Sequence, residues 1–351
     1  MKWYNMHDHP LQICGLAVKE KGRYHRLPDD VIDQVNENVA IMATYPVGGR
    51  VRFRTDSPCV MIRYSVGNTK FGHDGFGYIG TSGVDCYVDG SFRGGRSWGV
   101  DSYADVTFRG DQAWGYAAQT IEVLIQKQRS MQDVEIYLPA LNTLLDLEAG
   151  VDNEAAVEAP SPFAFRHPFV YYGSSITQGA FATRPGLNYV ALTARKMGAD
   201  FCNLGFASGA RGERIMAEYI AGLPMSLFVM DYDHNAPSVE HLKNTHFHFY
   251  QTVREKNPEL PILMLSKPDF DGNLMDDCHE KNAARRAVIM ETYSRAKNQG
   301  DKNIWFIDGQ TLYGDCDRCE CTTDNIHPND LGFYRMAEKV LPVMREIFGL
   351  L

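Results

Sequence analysis

The chain lacks several features that mark particular classes of protein. Its 8 cysteines among 351 residues are far fewer than a small disulfide-stabilised domain uses. No apolar run reaches about 18 residues, so we expect no transmembrane helix. The first residues carry no apolar signal-peptide core, which favours a cytoplasmic location. Basic residues are also few: 35 Lys and Arg stand against 44 Asp and Glu, a net charge of -9. We therefore expect neither a nucleic-acid nor a membrane partner.

The remaining composition is that of an ordinary globular protein. Hydrophobic residues make up 44% of the chain and charged residues 23%, which disfavours both a disordered and a fibrous protein. A chain of this length is expected to form roughly two domains.

Three cysteines lie close together, at Cys316, Cys319 and Cys321. With Cys278 or His279 they would supply the ligand types of a zinc site. The alternative is a set of reduced thiols in a loop, because no second Cys-x-x-Cys pair completes such a site. We predict no metal and no cofactor.

Residues 1–150 have the pattern of short strands separated by turns. Apolar and polar residues alternate as in half-buried strands. The Asp89-Gly90 pair between two such runs indicates a hairpin with a type I′ turn. This half is predicted to be an all-β sandwich, jelly-roll-like, for which carbohydrate binding is one expected role. The predicted strand segments are 51–54, 59–66, 85–92, 120–125 and 134–138.

Residues 165–351 follow a different pattern, in which apolar strands alternate with helical stretches. Five such pairs predict an α/β three-layer domain with a parallel sheet. The small and polar stretch 151–164 is the predicted linker. The predicted strands are 169–172, 200–204, 226–231, 261–265 and 304–307, followed by helices at 187–197, 213–221, 239–256, 279–298 and 331–347.

Parallel sheets bind their ligands at the carboxyl ends of the strands. The first strand is followed by residues 172–179 (YGSSITQG), with two serines in a tight turn before a helix. The second is followed by the small residues Ser208 and Gly209, and the third by Asn235. A serine in such a turn is exposed, and backbone N–H groups or an amide side chain there can stabilise an anion.

The loop before the last helix carries Asp324 three residues before His327. An aspartate so placed can orient the imidazole of the histidine. Together with the serine turn, these residues supply a nucleophile, oxyanion donors, a base and its orienter, which is the set that an acyl-transfer site requires.

The same residues resemble the SGNH hydrolases, also called GDSL esterases. Residues 173–177 (GSSIT) are similar to the first family block, 203–206 (NLGF) to the opening of the second, 233–235 (DHN) to the third and 324–328 (DNIHP) to the last. The resemblance extends to a bacterial subgroup with an N-terminal β-sandwich. Ser174 stands where the family usually has Asp, and Asp233 replaces a Gly.

This resemblance implies an SGNH/flavodoxin-like fold for the second half and a role for each matching residue. Ser175 takes the nucleophile position, with His327 as the base and Asp324 as its orienter. The oxyanion would be held by the backbone amide of Ser175, by that of Ser208 or Gly209, and by the side chain of Asn235.

The implied activity is hydrolysis of short-chain acyl esters, acetyl above all, on carbohydrates or small molecules through an acyl-enzyme. Two alternatives stay open. One is a catalytically silent carbohydrate-binding protein, which the departures at Ser174 and Asp233 allow. The other is an O-acyltransferase that uses the same three residues.

Overall fold

The computed structural model describes residues 1–67, 77–96, 119–268 and 278–350. The chain divides into two compact units, each built from more than one stretch of sequence. Unit 1 comprises Met1–Leu27, Thr44–Phe163 and Ala182–Gly186, and unit 2 comprises Pro28–Ala43, Ala164–Phe181 and Leu187–Leu351.

Unit 1 consists mainly of antiparallel strands, and a short helix, α3 (Tyr78–Ser82), lies among them. The strands are β1 (Lys2–Asn5), β2 (Gln12–Cys14), β3 (Val18–Glu20), β4 (Arg23–His25), β5 (Arg50–Thr55), β6 (Cys59–Val66), β7 (Val84–Val88), β8 (Ser91–Arg96), β9 (Gln119–Gln126), β10 (Gln132–Tyr137), β11 (Leu144–Val151) and β12 (Val157–Glu158).

These strands form two main sheets with one hydrophobic core between them. The strand orders are β1-β11-β6-β9 and β12-β5-β10-β7-β8, with β2 paired to β5. Every second residue of β6 is buried, starting at Val60, and the same core includes Phe53 of β5 and Ile136 of β10. Side chains of both sheets thus meet in one layer, and the predicted β-sandwich is confirmed.

The Asp89-Gly90 turn that joins β7 to β8 has the predicted geometry. Asp89 has φ 48° and Gly90 has φ 72°. Positive φ at both central residues is the property of a type I′ turn, whose twist matches that of the two strands.

Unit 2 contains a parallel sheet with helices between successive strands. Its strands are β13 (Phe169–Gly173), β14 (Phe201–Gly205), β15 (Leu227–Asp231), β16 (Ile262–Leu265) and β17 (Ile304–Ile307). Its helices are α1 (Asp29–Ile32), α2 (Glu37–Ala43), α4 (Ser175–Gln178), α5 (Tyr189–Met197), α6 (Arg214–Ala221), α7 (Val239–Lys256), α8 (Cys278–Asn298) and α9 (Asp330–Ile347).

The strand order is β14-β13-β15-β16-β17, the flavodoxin-like order. Every residue of β13 and β15 is buried, as expected of strands covered on both faces. The predicted three-layer α/β fold is confirmed. Because the chain turns to opposite sides of β13, the carboxyl ends of β13 and β15 lie at the point of this sheet where ligands are expected to bind.

Two short segments lie in the unit opposite to the one that their sequence position suggests. Residues 28–43, which fall within the predicted β-rich half, form α1 and α2 of unit 2. Residues 182–186 belong to unit 1, where the buried carboxylate of Asp85 accepts hydrogen bonds from Arg184 Nη1 at 2.9 Å and from Gly186 N at 3.1 Å. The predicted linker carries β12, which pairs with β5.

Across the parts of the chain that the structure describes, none of the helices is both long and apolar enough to span a bilayer.

The Asp89-Gly90 turn yields a test of the sandwich. Gly90→Ala should lower the free energy of unfolding by about 1 kcal/mol, because an L-residue is strained at positive φ although no atom of the described residues lies within 4 Å of the added β-carbon. Gly77→Ala is the matched control, since Gly77 is equally open but has φ -67°. Urea unfolding measures both, and equal effects would contradict the turn assignment.

Candidate active site

The turn after β13 presents Ser175 at the first position of α4. Ser174 is the N-cap of this helix, and its Oγ accepts a hydrogen bond from Ile176 N at 3.1 Å. Ser174 therefore has a structural role in the turn. A β-carbon at Gly173 would lie 2.0 Å from Thr177 Oγ1 and 2.4 Å from Asp231 O. Only glycine fits at this position, and its lack of a β-carbon allows the chain to turn tightly there.

The structure brings Ser175, His327 and Asp324 together in a chain of hydrogen bonds. Ser175 Oγ lies 2.8 Å from His327 Nε2, and His327 Nδ1 lies 2.7 Å from Asp324 Oδ2. A carboxylate can only accept, so Nδ1 carries the proton and Nε2 is left to accept one from the serine hydroxyl. Partial burial would raise the pKa of Asp324, but hydrogen bonds from His327 and Ile326 hold that pKa below its usual value.

The loop that carries Asp324 and His327 is held at both ends. Thr322 and Pro328 form a β-bridge, and Asn329 caps α9 by accepting from Gly332 N at 3.1 Å. The Arg335 guanidinium donates to Tyr313 O at 2.9 Å and to Cys316 O at 2.6 Å. These contacts fix the backbone on either side of the histidine.

Two aromatic rings lie beside the His327 imidazole. The Phe181 ring is centred 5.0 Å from it, and Phe181 is buried with φ 70°. This contact could not be predicted from the sequence, because a non-glycine residue at positive φ has no pattern of its own. The ring of half-buried His234 is 6.4 Å away. Burial, with the positive charges of Lys267 and Arg285, lowers the pKa of His234 well below 6.5, so that ring is neutral.

The structure distinguishes the two backbone amides that the sequence left open. Gly209 N–H donates to Phe206 O at 3.0 Å. Ser208 N–H has no hydrogen-bond partner among the residues that the structure describes, and neither has Ser175 N–H at the start of α4. Ser208, with φ 55°, therefore carries the amide that is free to bind an anion.

Asn235 ends a short 3-10 helix, Asp233–Asn235, just beyond β15. Within the described ranges, no hydrogen bond occupies its side-chain amide. The neighbouring Asp233 is buried, and its Oδ2 accepts from Lys267 N at 3.0 Å. Burial raises the pKa of Asp233 although this bond and nearby positive charges oppose the shift. The Asp233 carboxylate is thus held by the backbone of Lys267.

A second buried carboxylate lies at the end of β15, beneath the serine turn. Asp231 Oδ2 accepts hydrogen bonds from Thr177 Oγ1 at 2.8 Å and from Tyr189 OH at 2.7 Å. It joins α4 to α5. Burial, followed by the charge of Asp233, raises the pKa of Asp231 to about 7.

No group of three His, Cys, Asp or Glu side chains among the described residues is arranged to hold a metal ion. Cys316 and Cys319 are exposed, whereas Cys321 is buried. The side chains of Cys278 and His279, the proposed fourth ligands, lie outside the described residues.

Both halves of the chain match sequence profiles of known families. Residues 166–345 match the GDSL-like lipase/acylhydrolase family. Residues 1–157 match the N-terminus of SGNH-hydrolase-type esterases. A search of the curated proteins found no significant match.

Solved structures share the fold along the whole chain. A putative GDSL-like lipase from Bacteroides ovatus has 27% identity and a TM-score of 0.84 over 99% of this chain and 98% of its own. A salicylyl-acyltransferase from a tetracycline biosynthetic pathway has 22% identity and a TM-score of 0.77, over 100% and 98%. An acetyl xylan esterase from the rumen bacterium Butyrivibrio proteoclasticus has 13% identity and a TM-score of 0.62, over 99% of each chain.

The raised pKa of Asp231 makes stability depend on pH. In the unfolded chain this carboxyl ionises near pH 3.8 and in the folded protein near pH 7. The stability that the protonated carboxyl contributes is therefore complete below pH 3.8 and is lost as the pH rises towards 7. As the pH rises from about 5 to about 8, the difference in free energy of unfolding between Asp231→Asn and the native protein should therefore change in favour of the variant.

Urea unfolding at the two pH values measures this change. Asp308→Asn is the control, because hydrogen bonds from Arg286 lower the pKa of Asp308, and its difference from the native protein should stay constant over that range. A constant difference for Asp231→Asn as well would contradict the assignment.

Proposed function

Because the chain belongs to the GDSL-like lipase/acylhydrolase family, we propose that it is a serine esterase that removes short acyl groups from carbohydrate or small-molecule esters. The observation that carries this proposal is the chain of short hydrogen bonds from Ser175 through His327 to Asp324. This arrangement is that of a nucleophile activated by a base, with the base oriented by a carboxylate.

In the proposed reaction, Ser175 Oγ attacks the ester carbonyl carbon while His327 Nε2 takes the hydroxyl proton. Asp324 stabilises the imidazolium that forms. When the tetrahedral intermediate collapses, the bond to the alcohol oxygen breaks and His327 gives its proton to that oxygen. Water then attacks the acyl-enzyme, again with His327 as the base, and releases the acid and the free serine.

The negative charge on the carbonyl oxygen needs donors that are already in place. We assign this role to the free N–H groups of Ser175 and Ser208 and to the side-chain amide of Asn235. A negative charge beside Asn235 would oppose an oxyanion. The Asp233 carboxylate accepts a hydrogen bond from Lys267 N, which offsets part of that charge and supports the assignment. One strong donor of this kind contributes on the order of 3 kcal/mol to the transition state.

We propose an acetyl ester of a sugar as the substrate. The support is the fold, which is shared with an acetyl xylan esterase, together with the sequence resemblance. Residues 1–157 match the N-terminus of SGNH-type esterases, and we propose that the sandwich takes part in substrate binding.

A second candidate function is acyl transfer to an alcohol other than water. The shared fold with a salicylyl-acyltransferase favours it, since the same serine, histidine and aspartate would form the acyl-enzyme. Adding candidate acceptor sugars to the assay separates the two: a transferase forms the new ester faster than it releases free acid.

The first test concerns the nucleophile. Ser175→Ala should abolish hydrolysis of p-nitrophenyl acetate, leaving only the small residue due to binding and the oxyanion donors. Ser174→Ala is the matched control: it should cost about 1 kcal/mol of stability through the lost cap and keep most of the activity. An active Ser175→Ala variant would overturn the proposal, and a native protein that turns over no ester would favour a silent binding protein.

The second test concerns Asn235. Its amide is proposed to meet the oxyanion and not the ground-state carbonyl, so Asn235→Ala should lower kcat and leave KM nearly unchanged. The loss of one oxyanion donor predicts a fall of about 100- to 1000-fold. Steady-state kinetics on a small activated ester measure both constants. A raised KM with an unchanged kcat would show that Asn235 binds the substrate only.

A further inference from the structure

Helix α2 lies far from the serine turn in sequence but belongs to the same unit. Asn36 is its N-cap: the side-chain Oδ1 accepts from Val39 N at 3.1 Å, and the backbone carbonyl accepts from Ala40 N at 3.0 Å. This uses the acceptor of the carboxamide. The Nδ2 group remains free to donate elsewhere.

The Nδ2 group of Asn36 binds the loop that carries the free Ser208 amide. It donates to Gly209 O at 2.9 Å and also to Glu213 Oε1. Val39 packs against the same loop so closely that a β-carbon at Gly209 would lie 2.9 Å from Val39 Cγ2. The start of α2 is therefore in direct contact with the backbone that follows Ser208.

Glu213 connects this contact to the rest of the loop. Its Oε2 accepts from Tyr172 OH at 3.3 Å and from Arg211 N at 3.4 Å. The Tyr172 oxygen in turn accepts from Gly212 N at 3.1 Å. Asn36 thus ends a network that ties the loop to β13, the strand that leads into the serine turn.

The other end of α2 supports the chain on the other side of Ser208. Met42 Sδ accepts from Gln178 Nε2 at 3.6 Å, and Gln178 Oε1 accepts from Ala207 N at 2.9 Å. Gln178 is the last residue of α4. The backbone is therefore held on both sides of the Ser208 N–H, by Gln178 at Ala207 N and by Asn36 at Gly209 O.

We propose that Asn36 is a positioning residue for the oxyanion site: it fixes the Gly209 carbonyl and thereby aims the Ser208 N–H. The inference rests on the proposed function, because the Ser208 amide has a task only if an oxyanion forms beside Ser175. Asparagine suits the position because one oxygen caps α2 while one NH2 group reaches both the loop carbonyl and the Glu213 carboxylate.

Two substitutions separate this role from helix capping. Serine and aspartate cap helices about as well as asparagine, yet neither can donate as Nδ2 does. Asn36→Ser and Asn36→Asp should each lower kcat on p-nitrophenyl acetate by about tenfold while KM stays within about twofold, since a displaced donor weakens the transition state and not ground-state binding. Asn36→Asp also places a carboxylate against Glu213 and should lose more.

Asn257→Ser is the matched control. Asn257 Nδ2 donates to Ala221 O at 2.9 Å, so the variant also loses an amide-to-carbonyl hydrogen bond in unit 2, at the end of α7. It should lower Tm about as much as Asn36→Ser and leave kcat unchanged. If the two variants lose kcat in proportion to Tm, Asn36 is merely structural and the inference is overturned.

The remaining outcomes separate the inference from the proposed function. If Ser175→Ala is inactive while both Asn36 variants keep the native kcat, the inference fails and the esterase assignment stands. If one of the two Asn36 variants does not fold, the other decides, because both keep the cap of α2. If the native protein and Ser175→Ala are equally inactive, the proposed function fails and the inference fails with it.

Discussion

Gly173 and Gly205 end two neighbouring parallel strands, and neither position has room for a β-carbon. At Gly173 the added atom would meet Thr177 Oγ1, and at Gly205 it would lie 2.2 Å from Gln178 N. Helix α4 therefore packs directly onto the ends of β13 and β14. This close packing places Ser175 at the carboxyl edge of the sheet, and the Asp231 carboxylate at the end of β15 secures α4 from below through Thr177.

The site depends on loops that are fixed from several directions. His327 is reached by Asp324 within its own loop and by the Phe181 ring from the segment after α4. The Ser208 amide is held by Gln178 on one side and by Asn36 on the other. Such constraints set donor positions before any substrate arrives, which is the condition for electrostatic stabilisation of a developing charge.

Most of the sheet and its helices could be predicted from the sequence because their patterns are local. The helix at 239–256 and the strand at 59–66 have the predicted bounds, since each buries one regular face. The contact between Asp324 and His327 could also be predicted, because the two residues lie only three positions apart in one loop. Ser175 required the family resemblance to be chosen over Ser174, and the structure adds that Ser174 is the helix cap.

The rest depended on contacts between distant parts of the chain, which no local pattern reveals. Helices α1 and α2 are short, of four and seven residues, and lie between strands of the first half, so a sequence-based division assigned them to the sandwich. Phe181 adopts a positive φ without a glycine. The proposed assignment of Ser208 rather than Gly209 depends on one backbone hydrogen bond, from Gly209 N–H to Phe206 O.

We propose that Ser175 forms an acyl-enzyme whose oxyanion is bound by a preorganised set of donors. A crystal structure of the protein after reaction with a serine-directed alkyl phosphonate tests it most directly, because the phosphoryl oxygen takes the place of that oxyanion. We expect a covalent bond to Ser175 Oγ, with one phosphoryl oxygen within about 3 Å of the Ser175 and Ser208 N–H groups and the Asn235 amide. Labelling of another residue, or a phosphoryl oxygen turned away from these donors, would contradict it.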